Sequence, residues 1–437
     1  MEKLVINGGR PLYGEVRISG AKNSALPILV AAALAEGESV LENVPKDLDV
    51  ITISMILREL GVKVWSDTSG RVHVDGSGLN TYQAPYDLVR RMRGSFYVAG
   101  LLLARVRKAE VPLPGGCAIG SRPVDFHLKG FQQLGAEISI EHGYMKAEAT
   151  KLQGSKLYIN RSSVGTTINL MIAASLAEGT TILENAAKEP EVVDVAIFIN
   201  SMGGRIRGAG TDVIKIDGVE KLHGTEYSII ADRIEAGTYM MAAAMAGGDI
   251  TLKNVVPEHL RSPIIKLEEA GLLVGEGINE IRVVAKERPL AVDVETSPYP
   301  GFPTDLQQPF VSVMSIASGT SVVRETIFDR FRYVDELRRM GADIKVERDT
   351  AIIRGVEKLS GAPVEATDLR AGAALILAAL AAEGTTEIYG MEHVYRGYEQ
   401  IDKKLRNLGA DVISHDGGSL TAEEQFDALM LKSSATR

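Results

Sequence analysis

Cys117 is the only cysteine in 437 residues. It sits in Leu113-Pro114-Gly115-Gly116-Cys117-Ala118-Ile119-Gly120-Ser121-Arg122-Pro123-Val124-Asp125, where three glycines and two prolines mark a shaped loop rather than a helix or strand. Glycines let a backbone bend sharply and approach a ligand, and prolines limit how far the loop can collapse. Arg122, five residues on, stands near enough in a curled loop to favour thiolate over thiol. The competing reading is a small buried hydrophobe. It suits apolar runs such as those near Met171 or Ala243 better than a thiol between Gly-Gly and Ala-Ile-Gly.

Two further positions could do chemistry. Lys22 lies where Gly20-Ala21 gives way to a helix with Pro27 in its early turns. A helix N-terminus with an added ammonium group is an anion site; the bland alternative is a solvated lysine. Asp305 lies in Pro303-Thr304-Asp305-Leu306-Gln307, a turn leading into a helix, where it is equally a helix cap or a general base. No spacing of His, Cys or carboxylates suggests a metal site, and neither a Walker loop nor a Rossmann glycine pattern is present. No metal or cofactor is expected.

The elements that hold these residues show in a repeat. One phrase is a helix that ends in a glycine: Leu-Arg-Glu-Leu-Gly61, Phe-Gln-Gln-Leu-Gly135, Ile-Asn-Ser-Met-Gly203, Leu-Glu-Glu-Ala-Gly271, Leu-Arg-Arg-Met-Gly341 and Leu-Arg-Asn-Leu-Gly409. The glycines are 74, 68, 68, 70 and 68 residues apart. Each precedes a short alternating strand, so each reads as a helix C-cap. A second phrase, an alanine-rich helix, ends at Gly37, Gly179, Gly248, Gly319 and Gly384; Val106-Arg107-Lys108 replaces the glycine in the remaining slot. Six units, each with two helices and intervening strands, divide most simply into two domains of three. The alanine-rich helices should pack inside and the more charged ones outside. A ligand would then lie in the cleft between domains.

Composition narrows the class. Hydrophobic content of 45% and charged content of 24% suit a soluble globular protein. A net charge of −9 argues against a nucleic-acid binder, so any anionic substrate must meet a local cluster of Lys and Arg. No apolar stretch approaches a membrane span. The N-terminal Met1-Glu2-Lys3-Leu4-Val5 enters a strand-like run directly, and a single cysteine fits a reducing cytoplasm.

The chain resembles the UDP-N-acetylglucosamine enolpyruvyl transferases over roughly residues 1 to 420. Seven motifs occur in order: Gly20-Ala21-Lys22-Asn23-Ser24-Ala25-Leu26, the cysteine loop, Ser163-Val164-Gly165-Thr166-Thr167, Asp232-Arg233-Ile234-Glu235-Ala236-Gly237-Thr238, Phe302-Pro303-Thr304-Asp305-Leu306-Gln307, Ala366-Thr367-Asp368-Leu369-Arg370-Ala371 and Arg396-Gly397-Tyr398-Glu399. The resemblance implies an α/β fold of two inside-out domains, each three βαβαββ repeats. It places residues 22–230, with the cysteine loop, in one domain. Residues 1–21 and 231–420 form the other. Residues 421–437 lie beyond the family core; 422–430 could form a helix, with disorder expected toward Arg437.

The implied reaction transfers the enolpyruvyl group of phosphoenolpyruvate to the 3′-hydroxyl of UDP-N-acetylglucosamine and releases phosphate, committing the sugar nucleotide to peptidoglycan synthesis. Cys117 matches the acid that protonates the methylene carbon, and it is also the target of the covalent epoxide inhibitor fosfomycin. Asp305 matches the base near the sugar hydroxyl, and Asp368 a carboxylate near the reacting carbon. Lys22, Arg122 and Arg396 are implied for the phosphoenolpyruvate anion. Arg93, Arg330 and Arg370 match further arginines around the substrates, and Asp49 a carboxylate that pairs with an active-site arginine. Arg122, Pro123, Val124, Asp125 and Phe126 match the uridine segment, with Ser163, Val164 and Gly165 opposite; Asn23 and Ile327 match sugar contacts. A monomer is expected.

Three departures bear on the nucleotide side. Ile168 stands where the family usually has Glu, Phe328-Asp329-Arg330-Phe331 is one residue short, and Arg161 replaces a common lysine. Two rivals remain. An enolpyruvyl transferase for shikimate 3-phosphate would lack the cysteine loop and Ser163-Val164-Gly165. A non-catalytic paralogue that binds UDP-sugar would not need every polar residue just named.

Overall fold

The computed structural model describes residues 2–114, 124–415, 418 and 420–431. Gly61, Gly135, Gly203, Gly271, Gly341 and Gly409 all have φ between +92° and +99°. Side chains rarely adopt that conformation, and each glycine turns the chain out of a helix toward a strand. Gly61, for example, separates the helix Leu48–Glu59 from the strand Lys63–Ser66. In the slot that lacks a glycine, Arg107 itself is left-handed, with φ of 63°. Its guanidinium donates to the carbonyls of Leu103, Ala104 and Leu176 at 3.2, 2.5 and 3.3 Å. Those bonds satisfy helix-end carbonyls and offset the strain.

Among the described residues the strands form six sheets, five of four strands and one of three. Their faces alternate; Thr320–Arg324 buries every second residue and turns the others to solvent. Pairing is often remote in sequence. The strand Lys3–Asn7 lies antiparallel between Thr385–Tyr389 and Asp411–His415, with Leu4 opposite Ile388 and Ser414.

The chain divides into two units. One comprises 2–19 and 231–423; the other comprises 20–114, 124–230 and 424–431. Each contains three of the sheets. In the second unit the alanine-rich helices Lys22–Ala32, Val98–Val106 and Val164–Ala174 pack on one another. In the first, Arg233–Ala246, Gln307–Ser315 and Leu369–Ala381 do the same. Small residues allow the close approach: a Cβ on Gly100 would lie 2.4 Å from Asn169 Oδ1, which accepts from the Gly100 amide at 2.9 Å.

The expectation that the charged helices lie outside needs correction. Asp125–Gln133 buries only His127, Gly130 and Phe131. Leu48–Glu59 and Pro190–Ser201, by contrast, each bury eight of twelve residues. Both pack on the Lys22–Ala32 helix. The segment beyond the family core forms the helix Ala422–Leu431, whose Phe426 and Met430 join the core of the 20–230 unit. The expectation of disorder toward Arg437 concerns 432–437, which lie outside the described residues.

Candidate active site

In the unit built from 231–423, Asp305 lies in the 3-10 turn Thr304–Leu306, ahead of the helix Gln307–Ser315. Neither element has a side-chain cap, so the reading of Asp305 as a helix cap falls away. Its carboxylate is gripped at both oxygens. Arg330 Nη1 donates to Oδ1 at 2.6 Å, and Arg370 Nη2 donates to Oδ2 at 3.0 Å. Arg330 also donates to the Thr304 carbonyl at 3.0 Å and lies 5.1 Å from the Phe328 ring centroid. The shortened 328–331 segment therefore still delivers a guanidinium to Asp305. Burial works against the charge of Arg370, but Tyr398 and Asp305 outweigh it and raise the guanidinium above its usual range.

Asp368 is the N-cap of the helix Leu369–Ala381. Its Oδ1 accepts from the amides of Arg370 and Ala371 at 2.9 and 3.0 Å. Its Oδ2 accepts from Gln308 Nε2 at 3.3 Å. Asp305, Arg330, Arg370 and Asp368 thus form one constellation drawn from three stretches of sequence. Arg330 Nε and Arg370 Nη1 are buried without a partner among the described residues.

Arg396 is half-buried in the turn after the short helix Met391–Val394. The residues that follow it are anchored. Tyr398 Oη meets Thr238 Oγ1 at 2.8 Å, and Glu399 accepts from Ser19 Oγ. Lys404 donates to Ser19 Oγ at 2.7 Å and to Glu235 at 2.5 Å. Ile327 follows the strand Thr320–Arg324, and its amide donates to Glu325 Oε1 at 2.8 Å.

In the other unit, Lys22 opens its helix, whose N-cap Ala21 supplies no side-chain bond. Lys22 is only 8% exposed, which excludes a solvated lysine. Its ammonium pairs with Asp49 Oδ2 at 3.1 Å. Asp49 is buried too. Asn23 is the next helical residue, and Arg93 opens the 3-10 turn Arg93–Tyr97. Asp125 and Phe126 begin the helix Asp125–Gln133 after Val124. Ser163 caps the helix Val164–Ala174, accepting from the Thr166 amide at 3.3 Å; Val164 and Gly165 form its first turn.

Ile168 is fully buried in that helix. A departure that read as a change in nucleotide contact is therefore a core residue. Cys117, Arg122 and Pro123 lie outside the described residues.

His127 went unremarked in the sequence. It is buried, its Nδ1 meets Asn169 Nδ2 at 3.1 Å, and Phe96 packs edge-on at 5.2 Å. A Cβ built on Gly165 would be 3.7 Å from its ring. Burial, then the charge of Arg93, pushes His127 down to about 3, so the ring is neutral. The available signal was its place directly after Phe126. Beside that residue lies a cavity of about 420 Å³, lined by Phe126, Lys129, Gln133, Tyr158 and Asn160 among others.

The model for EPSP synthase (3-phosphoshikimate 1-carboxyvinyltransferase) matches residues 6–405. A curated relative, UDP-N-acetylglucosamine 1-carboxyvinyltransferase 2 of Symbiobacterium thermophilum, is 58% identical over 95% of this chain and 99% of its own. The chain belongs to the enolpyruvyl transferase family. UDP-N-acetylglucosamine 1-carboxyvinyltransferase 3 of Caldanaerobacter subterraneus is 55% identical over 94% of this chain and 99% of its own. Among solved structures, the enolpyruvyl transferase NikO from Streptomyces tendae matches with a TM-score of 0.86 and 26% identity, over 95% of this chain and 99% of that one. EPSP synthase from Acinetobacter baumannii has a TM-score of 0.73 at 19% identity, over 95% and 100% of the two chains. That likeness concerns the fold. The enolpyruvyl transferase repeat thus accounts for the six sheets and for the phase of the glycine phrases.

Proposed function

We propose that this enolpyruvyl transferase moves the enolpyruvyl group of phosphoenolpyruvate onto the 3′-hydroxyl of UDP-N-acetylglucosamine, the first committed step of peptidoglycan synthesis. The observation that carries the reading is the 58% identity to a protein of that name over nearly the whole of both chains. In the addition half-reaction the methylene carbon gains a proton. The sugar oxygen bonds to the adjacent carbon and loses its own proton. In the elimination half-reaction the carbon–oxygen bond to phosphate breaks, and the new methyl group returns a proton. Such chemistry needs an acid, a base and fixed cations.

Asp305 is our base. Its two guanidinium partners hold both oxygens, which aims the carboxylate. Buried donors without partners cost about 1–3 kcal/mol each, so Arg330 Nε and Arg370 Nη1 suit a cluster selected for ligand work over stability. Asp368, ordered by its capping bonds and Gln308, faces the reacting carbon in this reading. Lys22, Arg122 and Arg396 receive the phosphoenolpyruvate anion. Arg93, Asn23, Ile327, Val124–Phe126 and Ser163–Gly165 receive the sugar nucleotide, and Cys117 supplies the acid. A cytoplasmic location suits both substrates.

The test is product identity. Incubation with both substrates should yield a UDP-sugar bearing an enolpyruvyl ether by mass spectrometry. Recovery of unchanged UDP-N-acetylglucosamine from active-site-competent protein would contradict the proposal.

A further inference from the structure

The family model's match ends at residue 405, before the helix Ala422–Leu431 begins. That helix is seated with some care. Phe426 and Met430 are 1% and 0% exposed within the core of the 20–230 unit. Asp427 pairs with Lys46 at 2.9 Å, and the Lys46 ammonium lies 5.7 Å from the Phe426 ring centroid. Arg58 Nη1 donates to the Leu429 carbonyl at 3.1 Å, while Arg58 Nε donates to the Val64 carbonyl at 2.9 Å. The helix therefore holds Lys46, just ahead of Leu48–Glu59, and Arg58 in that helix's last turn, and Arg58 in turn reaches the strand that follows.

What it grips matters for the site. Lys46 immediately precedes Asp47, which caps Leu48–Glu59 by accepting from the Val50 amide at 2.8 Å. Two residues further on, Asp49 holds the Lys22 ammonium at 3.1 Å. From Asp427 to Lys22 the chain of contacts is thus short: the Asp427 side chain fixes Lys46, the turn it belongs to fixes Asp49, and Asp49 fixes Lys22. On the other side, Glu423 is tied to Lys403 at 2.9 Å, so the helix enters from an anchored residue.

We infer that the C-terminal helix, through Lys46 and Arg58, is a positioning element for the Lys22 anion site, belonging to a part of this chain that the family model does not match. The inference rests on the reading of Lys22 as a phosphoenolpyruvate ligand. Misplacing a substrate-binding group by a fraction of an ångström to an ångström costs up to about a hundredfold. Loosening the Lys46 turn should cost about fivefold to tenfold.

The experiment compares the native full chain with the full-length Asp427→Lys variant. KM for phosphoenolpyruvate should rise about fivefold to tenfold in the variant, while KM for UDP-N-acetylglucosamine and kcat stay within about twofold. The double variant Lys46→Glu/Asp427→Lys should recover most of the loss, which general damage to packing would not allow. Hydrogen exchange over residues 45–52 should quicken in the single variant and slow again in the double one. An unchanged KM for phosphoenolpyruvate in an active, folded Asp427→Lys protein would overturn the inference. If the intact chain turned over no phosphoenolpyruvate, the functional reading would fail instead. Exchange over 45–52 would then decide the positioning claim, and equal exchange in all chains would defeat it.

Discussion

Arg330 closes on Asp305 at 2.6 Å across 25 residues of chain, and both belong to the unit that carries Asp368 and Arg370. This contact supports the reading of Asp305 as a site residue, since neither the turn nor the helix that follows takes a side-chain cap. Arg330 is 4% and Asp305 23% exposed at the side chain, so the carboxylate keeps some access.

Asp305→Asn keeps the shape and loses the base. Turnover should fall by about two to four orders of magnitude, with affinity for UDP-N-acetylglucosamine nearly intact by calorimetry. A variant that binds the sugar nucleotide poorly yet turns over bound substrate normally would return Asp305 to a structural role.

His127 makes stability depend on pH. Its folded value of about 3 lies below the unfolded value of 6.5. Between them the unfolded chain holds the extra proton, so stability rises with pH in that window and falls as pH drops below about 6.5. The slope is at most about 1.4 kcal/mol per pH unit from this group. Urea unfolding of the native chain and His127→Gln at pH 7 and pH 5 should show the native chain losing more on acidification. Parallel losses would refute the assignment.

Ile168 is a core residue, whatever stands there in relatives. Ile168→Glu should cost about 2–5 kcal/mol in denaturant unfolding, because a fully buried position must take a carboxyl group. A near-neutral result would mean that the surrounding core already offers that carboxyl group a partner.

Much of the fold was legible because helix ends are local. The six glycines could be read as C-caps without any contact map, and Arg107 shows the rule holding where the glycine is absent. The site was legible only as isolated residues. Nothing local in Pro303-Thr304-Asp305 separates a cap from a base; the distinction comes from Arg330 and Arg370, 25 and 65 residues away. Lys22 likewise needed Asp49 to turn from a surface lysine into a buried one. The C-terminal helix was hardest, since its anchors Lys46 and Arg58 lie 381 and 371 positions from their partners. His127 was hidden for a related reason: its neutrality comes from burial, which no spacing announces.

Cys117 carries the acid role in our account. Fosfomycin should add once, at Cys117, and faster with UDP-N-acetylglucosamine bound. Cys117→Ser should abolish labelling and severely impair turnover, because a hydroxyl is a far poorer acid near neutral pH. Cys117→Asp should retain activity and resist the epoxide. Intact-protein mass spectrometry reads the adduct; a native chain that turns over substrate yet takes up none at saturating epoxide would remove the thiol from the mechanism.

The central claim is the acceptor. Phosphate release from phosphoenolpyruvate should be measured on one preparation with UDP-N-acetylglucosamine and with shikimate 3-phosphate in parallel. The account predicts release with the sugar nucleotide and none above background with shikimate 3-phosphate. Release with shikimate 3-phosphate alone, or with neither acceptor, would contradict it.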